Sequence, residues 1–157
     1  MQTTFLLFKT LKGICFPVTI QRGNWIVDRM GAEYKESSGL QVSFDKIEKD
    51  TDIIWLLGSW CWNQIPFNVL KSKKVVCTIH HEVPEKFDKN REKNFLLRDQ
   101  IVDHYLTYTQ ETKEFIEKLT QKPIKIIPHW VNSKIWKKLD KKPSDRDWET
   151  MIYDLIS

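Results

Sequence analysis

Cysteine is scarce in this chain: Cys15, Cys61 and Cys77 are the only three, and no two stand at CxxC spacing. An odd count without paired spacing argues against a disulfide framework and against a structural zinc site. Glycine is also sparse, five in 157 residues, and no GxGxxG, P-loop or GxSxG sequence occurs. Readings as a dinucleotide oxidoreductase, a P-loop kinase or a serine hydrolase therefore lack their residues. Long apolar runs are missing too. The start has only Phe5–Phe8 and no basic segment before it, so neither a signal peptide nor a membrane span is expected. Neither sign of charge dominates: Lys+Arg 25 against Asp+Glu 21 leaves +4, with the lysines scattered. That reads as a solvated surface rather than a nucleic-acid footprint, whose charge clusters on one face. The expectations are a reducing, cytoplasmic location, no nucleic-acid partner, and at most peripheral contact with a membrane.

What remains is globular composition, 41% hydrophobic and 29% charged, in a length suited to one domain with a real core. The apolar runs are short, β-branched and separated by helical stretches, the pattern of a parallel sheet built from βαβ units. Strands are expected at Phe5–Phe8, Leu40–Phe44, Ile53–Leu57, Val75–Ile79, Tyr105–Tyr108 and Ile124–Ile127, the last stopped by Pro128. Thr10 to Gly23 reads as a long loop. Asn24 can cap a helix reaching about Lys35, with Val27, Met30 and Tyr34 towards the sheet. A short helix spans Pro66 to Lys71, entered through Asn63. A long one spans Glu85 to Val102, its outer face charged (Lys86, Lys89, Arg91, Glu92, Lys93) and Phe87, Phe95 and Ile101 inward. Thr109 opens another, to about Leu119. The fold class is thus α/β, a Rossmann-like open parallel sheet flanked by helices. The domain covers residues 1–139, and 140–157 form a tail or the start of a truncated linker.

Ligands of such sheets bind beyond the carboxyl ends of the strands, where loops and helix N-termini converge. That rule brings together Arg22-Gly23-Asn24, Gly58 to Asn63 with Trp60 and Trp62, His80-His81-Glu82, Gln110 after Tyr108, and His129 after Ile127. His80 follows its strand directly and is the leading catalytic candidate. Glu82 reads either as a general base beside it or as a turn cap, and His81 either as a site residue or as a hydrogen-bonded loop residue. Trp60 and Trp62 alternate in direction, one inward and one towards the cleft, where an indole face suits the C–H faces of a sugar. Trp55, in mid-strand, reads as core. Gly23 suits close backbone approach to a ligand, and Arg22 can pair a phosphate or face solvent. His104 falls on the opposite edge and is excluded. Adjacent histidines at a strand end point apart and match no ligand spacing, so no metal site is expected.

The closing stretch Ile126-Ile127-Pro128-His129-Trp130-Val131-Asn132-Ser133-Lys134-Ile135-Trp136 resembles the I-P-N-G-V-D-x-x-x-F segment of retaining GT-B glycosyltransferases of family four, the "group 1" transferases. Pro128, Val131 and Trp136 match, Asn132 stands for the aspartate, and His129-Trp130 replace Asn-Gly. Val75 to His81 is similar to the family's V-x-T-x-H strand, and Tyr105 to Thr112 to its strand-to-helix step with Thr109 in the serine place. Gly23 to Arg29 occupies its first glycine loop. The resemblance spans about residues 5–138. It implies the acceptor-side, N-terminal half of a GT-B fold, supporting sugar transfer from a nucleotide-sugar donor to a carbohydrate or other acceptor, with His80 near the acceptor and Gly23 near the donor phosphates. The donor is a substrate, and no further cofactor is implied. The family's E-x(7)-E motif belongs to a C-terminal domain that this sequence does not contain, so the chain alone is expected to be inactive. The alternative is a non-catalytic Rossmann-like module that binds carbohydrate or protein through its tryptophan-rich edge. A hydrolase using His80 and Glu82 lacks a nucleophile arrangement.

Overall fold

The computed structural model describes residues 14–16, 26–44 and 46–127. Within them, six strands make one parallel sheet: β1 (Ile14–Phe16), β2 (Val42–Phe44), β3 (Ile53–Leu56), β4 (Lys74–Ile79), β5 (His104–Thr107) and β6 (Ile124–Ile126), in the order β2-β1-β3-β4-β5-β6. The α-helices are α1 (Ile26–Ser38), α2 (Phe67–Lys71), α3 (Lys89–Asp99) and α4 (Gln110–Ile116), with single 3-10 turns at Cys61–Gln64 and Pro84–Lys86. This is the α/β, Rossmann-like open parallel sheet with flanking helices that the alternation of patterns predicts.

Period-2 alternation along the strands sorts the core into two faces. Ile54, Leu56, Val75, Cys77, Ile79 and Tyr105 point to one, where Leu70 of α2, Phe95 of α3 and Ile116 of α4 cover them. Ile53, Trp55 and Leu57 point to the other, against Val27 and Tyr34 of α1. The spacing Val27, Met30, Tyr34 gives α1 its buried stripe. Gly39, with φ of 66°, stands just past the end of α1, in the left-handed conformation that a β-carbon disfavours.

Three expectations need correction. The stretch Thr10–Gly23 is not all loop, because Ile14–Phe16 pairs with both β2 and β3 in the middle of the sheet. Three apolar residues sufficed there because both neighbours supply hydrogen bonds. Phe5–Phe8 lies outside the described residues. The helix expected over Glu85–Val102 is broken: the 3-10 turn ends at Phe87 in a non-helical conformation, and Asp88 then caps α3, its carboxylate accepting from the Arg91 N–H at 2.9 Å. Asn63 does not open α2. It lies within the 3-10 turn, and the residue before α2 is Pro66, with no side-chain cap. Thr109 does cap α4, its hydroxyl accepting from the Thr112 N–H at 3.2 Å.

Strand bounds otherwise differ from expectation by two residues or fewer, Leu40–Phe44 shortening to Val42–Phe44. The boundary expected at residue 139 lies outside the described residues. Among those described, no helix is long and apolar enough to cross a membrane.

Candidate functional site

From β1 the chain passes to β2 on one side of it, then returns to lay β3 on the other. In doubly wound sheets ligands bind beyond the carboxyl ends of the strands that flank such a reversal, here β1 and β3. The segment following β3 is Leu57-Gly58-Ser59-Trp60. Beside it, β4 ends at Ile79 and delivers His80, and β5 ends at Thr107 and delivers Tyr108. Because Ile79 and Thr107 are register partners, the next residues, His80 and Tyr108, leave the sheet side by side.

Three rings meet there. The His80 imidazole stacks on Trp60 with centroids 6.3 Å apart and planes inclined 29°, and lies 5.3 Å from the Tyr108 ring. The His80 Nε2 is 2.8 Å from the carbonyl oxygen of Leu57. A carbonyl can only accept, so Nε2 carries the proton, and any proton the neutral ring takes up goes to Nδ1. The Tyr108 hydroxyl donates to the Met30 sulfur at 3.8 Å, and burial pushes its pKa up to about 12. At neutral pH it is therefore a hydrogen-bond donor and not a base.

Trp60 is the exposed member, 42% accessible, and its indole lies directly over Gly58. A β-carbon at Gly58 would sit 2.7 Å from Cε2 and Cζ2 of that indole, so the close approach requires glycine. Trp62 takes the opposite role, half-buried against the core that contains Cys61 and Leu70. Trp62 packs inward and Trp60 faces outward, as expected, but the reason is the 3-10 turn at Cys61–Gln64; on a strand, residues two apart would share a face. Trp55 is tied into the sheet, its Nε1–H donating to the Thr78 hydroxyl at 2.9 Å and its ring meeting Tyr34 edge-on.

The other candidates are distributed differently. Glu82 is half-buried and its carboxylate faces Arg91 of α3 at 3.7 Å. His81 is exposed. Gln110 is also exposed, and its amide donates to Glu114 at 2.8 Å along α4. His104 begins β5, at the amino-terminal edge, and is exposed. Arg22, Gly23, Asn24 and His129 lie outside the described residues. No group of three or more His, Cys, Asp or Glu residues placed to hold a metal occurs among the described residues. A polar recess of about 460 Å³ between Thr51, Asp52, Lys71, Lys73, Lys74 and Asp103 lies at the amino-terminal edge, away from the three rings.

Two residues of the site escape the sequence reading. Tyr108 reads there only as a strand end; its part becomes visible once β4 and β5 are known to be neighbours in register. Arg98 sits three residues from Phe95 and from Ile101, hence on the buried side of α3, and it is 6% exposed. Its guanidinium donates to the Ser59 carbonyl at 3.0 Å. That spacing is the signal that distinguishes it from the solvated charges of the same helix. No family model matches this chain, and no curated protein or solved structure matches it either.

Proposed function

We propose that the chain is the acceptor-side half of a GT-B glycosyltransferase, with the Trp60–His80–Tyr108 cluster as the wall against which a sugar acceptor rests. The observation that carries this reading is the stacking of an exposed indole on a histidine whose Nε2 is already committed to a backbone carbonyl. An open indole face suits the apolar C–H face of a pyranose. The imidazole beside it is placed to meet a sugar hydroxyl and to take part in its proton transfer. Tyr108 adds a neutral phenol beside the imidazole.

In this reading the nucleotide-sugar donor is held chiefly by a second, C-terminal domain, and Arg22, Gly23, Asn24 and His129 are assigned to substrate binding from the sequence alone. His80 is the residue closest to the transfer. Glu82, held by Arg91, shapes the turn after β4 and contributes charge rather than proton transfer. The reaction needs no cofactor beyond the donor substrate. The cytoplasmic side, where nucleotide sugars are available, is the proposed location.

Saturation-transfer NMR of the chain with a panel of methyl glycosides tests the acceptor wall. Transfer from protein to pyranose C–H protons, lost in Trp60→Ala, is the expected result. A panel with no contact, or contact unaffected by Trp60→Ala, would remove the wall. The catalytic half of the proposal is tested separately, by incubating the chain alone with nucleotide sugars. No transfer is expected without a donor-binding domain, and robust transfer would overturn the half-enzyme reading. Glycoside contact from a chain that, joined to its donor-binding half, still transfers nothing would instead assign a binding module.

A further inference from the structure

We propose that Arg98 is a positioning residue for the aromatic site, holding the loop that sets Trp60 over His80. The inference rests on reading those rings as the ligand wall. Arg98 is 6% exposed, and among the described residues no carboxylate forms an ion pair with it. Its Nε has no hydrogen-bond partner. Its guanidinium carbon lies 5.0 Å from the Phe95 ring centroid and its NH1 is 3.0 Å from the Ser59 carbonyl oxygen. A buried cation without an anion is costly, and an apolar side chain of similar volume commonly packs as well or better. The contacts of Arg98 with Phe95 and with the Tyr105 hydroxyl belong to the core, whereas the bond to Ser59 reaches out to the loop and does something no apolar residue can.

That bond falls at the right place. Leu57 to Trp60 is fixed at two carbonyls from two different elements: Leu57 by His80 at the end of β4, and Ser59 by Arg98 of α3. Between them lies Gly58, against whose α-carbon the indole is pressed. Fixing the carbonyls on either side of Gly58 leaves the chain little freedom to swing Trp60 away from the imidazole. Lysine is a poor substitute, because a single ammonium cannot both sit over Phe95 and present a separate fixed donor to Ser59.

The test uses the full chain with Arg98→Met and Arg98→Lys, labelled with ¹⁵N in tryptophan indoles and histidine rings. Trp60 is identified from Trp60→Phe and His80 from His80→Gln. Arg98→Met is expected to unfold cooperatively as the wild type does, while the Trp60 indole N–H signal moves and His80 loses the ¹⁵N signature of the Nε2–H tautomer. Arg98→Lys is expected to move the same two signals by less. A folded Arg98→Met with unmoved Trp60 and His80 signals overturns the proposal. Loss of the native fold in both variants overturns it as well, since the guanidinium would then serve the core. If only Arg98→Met fails to fold, the same two signals in Arg98→Lys decide: moved supports, unmoved overturns. No sugar is present in these measurements, so their outcome is separate from whether a glycoside binds or is transferred.

Discussion

A methyl group at Gly58 would meet the Trp60 indole at 2.7 Å, and the indole is the outermost layer of the site. Gly58→Ala is therefore expected to push Trp60 off the imidazole. Because the atoms met belong to an exposed side chain, the Trp60 indole signal is expected to move with little change in the denaturant midpoint; an unmoved signal would show that the loop yields instead. Burial also leaves a titration signature. Cys77 is fully buried and its thiol pKa is pushed up to about 12 by desolvation, while Tyr108 is pushed to about 12 by the same cause. In the unfolded chain these groups ionise near their ordinary values, about 8.5 for a thiol and about 10 for a phenol. Between those values and about 12 the unfolded state loses protons that the folded state keeps, so stability falls as pH rises. The slope is about 1.4 kcal/mol per pH unit for each group fully engaged. Urea midpoints between pH 8 and pH 11 are expected to decline, and Cys77→Val is expected to flatten the first part of that decline. A Cys77→Val profile parallel to the wild type would contradict the assignment.

The break before α3 shows how a helix boundary is decided by a single side chain. The charged periodicity of Glu85 to Val102 runs on as if it were one helix, but the Asp88 carboxylate offers the Arg91 N–H a partner and starts a new one. Asp88→Ala is expected to destabilise the domain by about 1 kcal/mol, measured by denaturation, with an effect below about 0.3 kcal/mol counting against the cap. The Thr109 cap of α4 was legible because threonine directly follows a finished strand. Asp88 was not, because it sits inside a polar run with nothing to mark it. β1 was missed for a different reason. Ile14-Cys15-Phe16 is too short for a period to show, and its status as a strand comes from the two strands that flank it rather than from its own residues.

At the scale of the molecule, the parallel α/β class follows from the rhythm of apolar runs, and the sheet bears it out; of the candidate residues, Trp60 and His80 meet at its carboxyl edge. Strand order does not follow from that rhythm, because pairing is a long-range property; the pairing of β3 with β4 and of β4 with β5 puts Trp60, His80 and Tyr108 on three adjoining strand ends. His80 and Trp60 were thus legible as candidates one at a time, while Tyr108, Arg98 and the contact among the rings needed the topology. The segment from Pro128 to Trp136, whose sequence resembles the closing stretch of a GT-B half, lies outside the described residues, and the proposed function rests on the aromatic wall. The most direct test of the proposed glycosyltransferase reading is sugar transfer from a nucleotide-sugar donor by the chain joined to a donor-binding domain, comparing wild type with His80→Ala. Loss of a positioned acid or base costs about 10²–10⁴-fold, and a fall of that size with an unchanged melting temperature is the expected result. Unchanged turnover in His80→Ala would contradict the account.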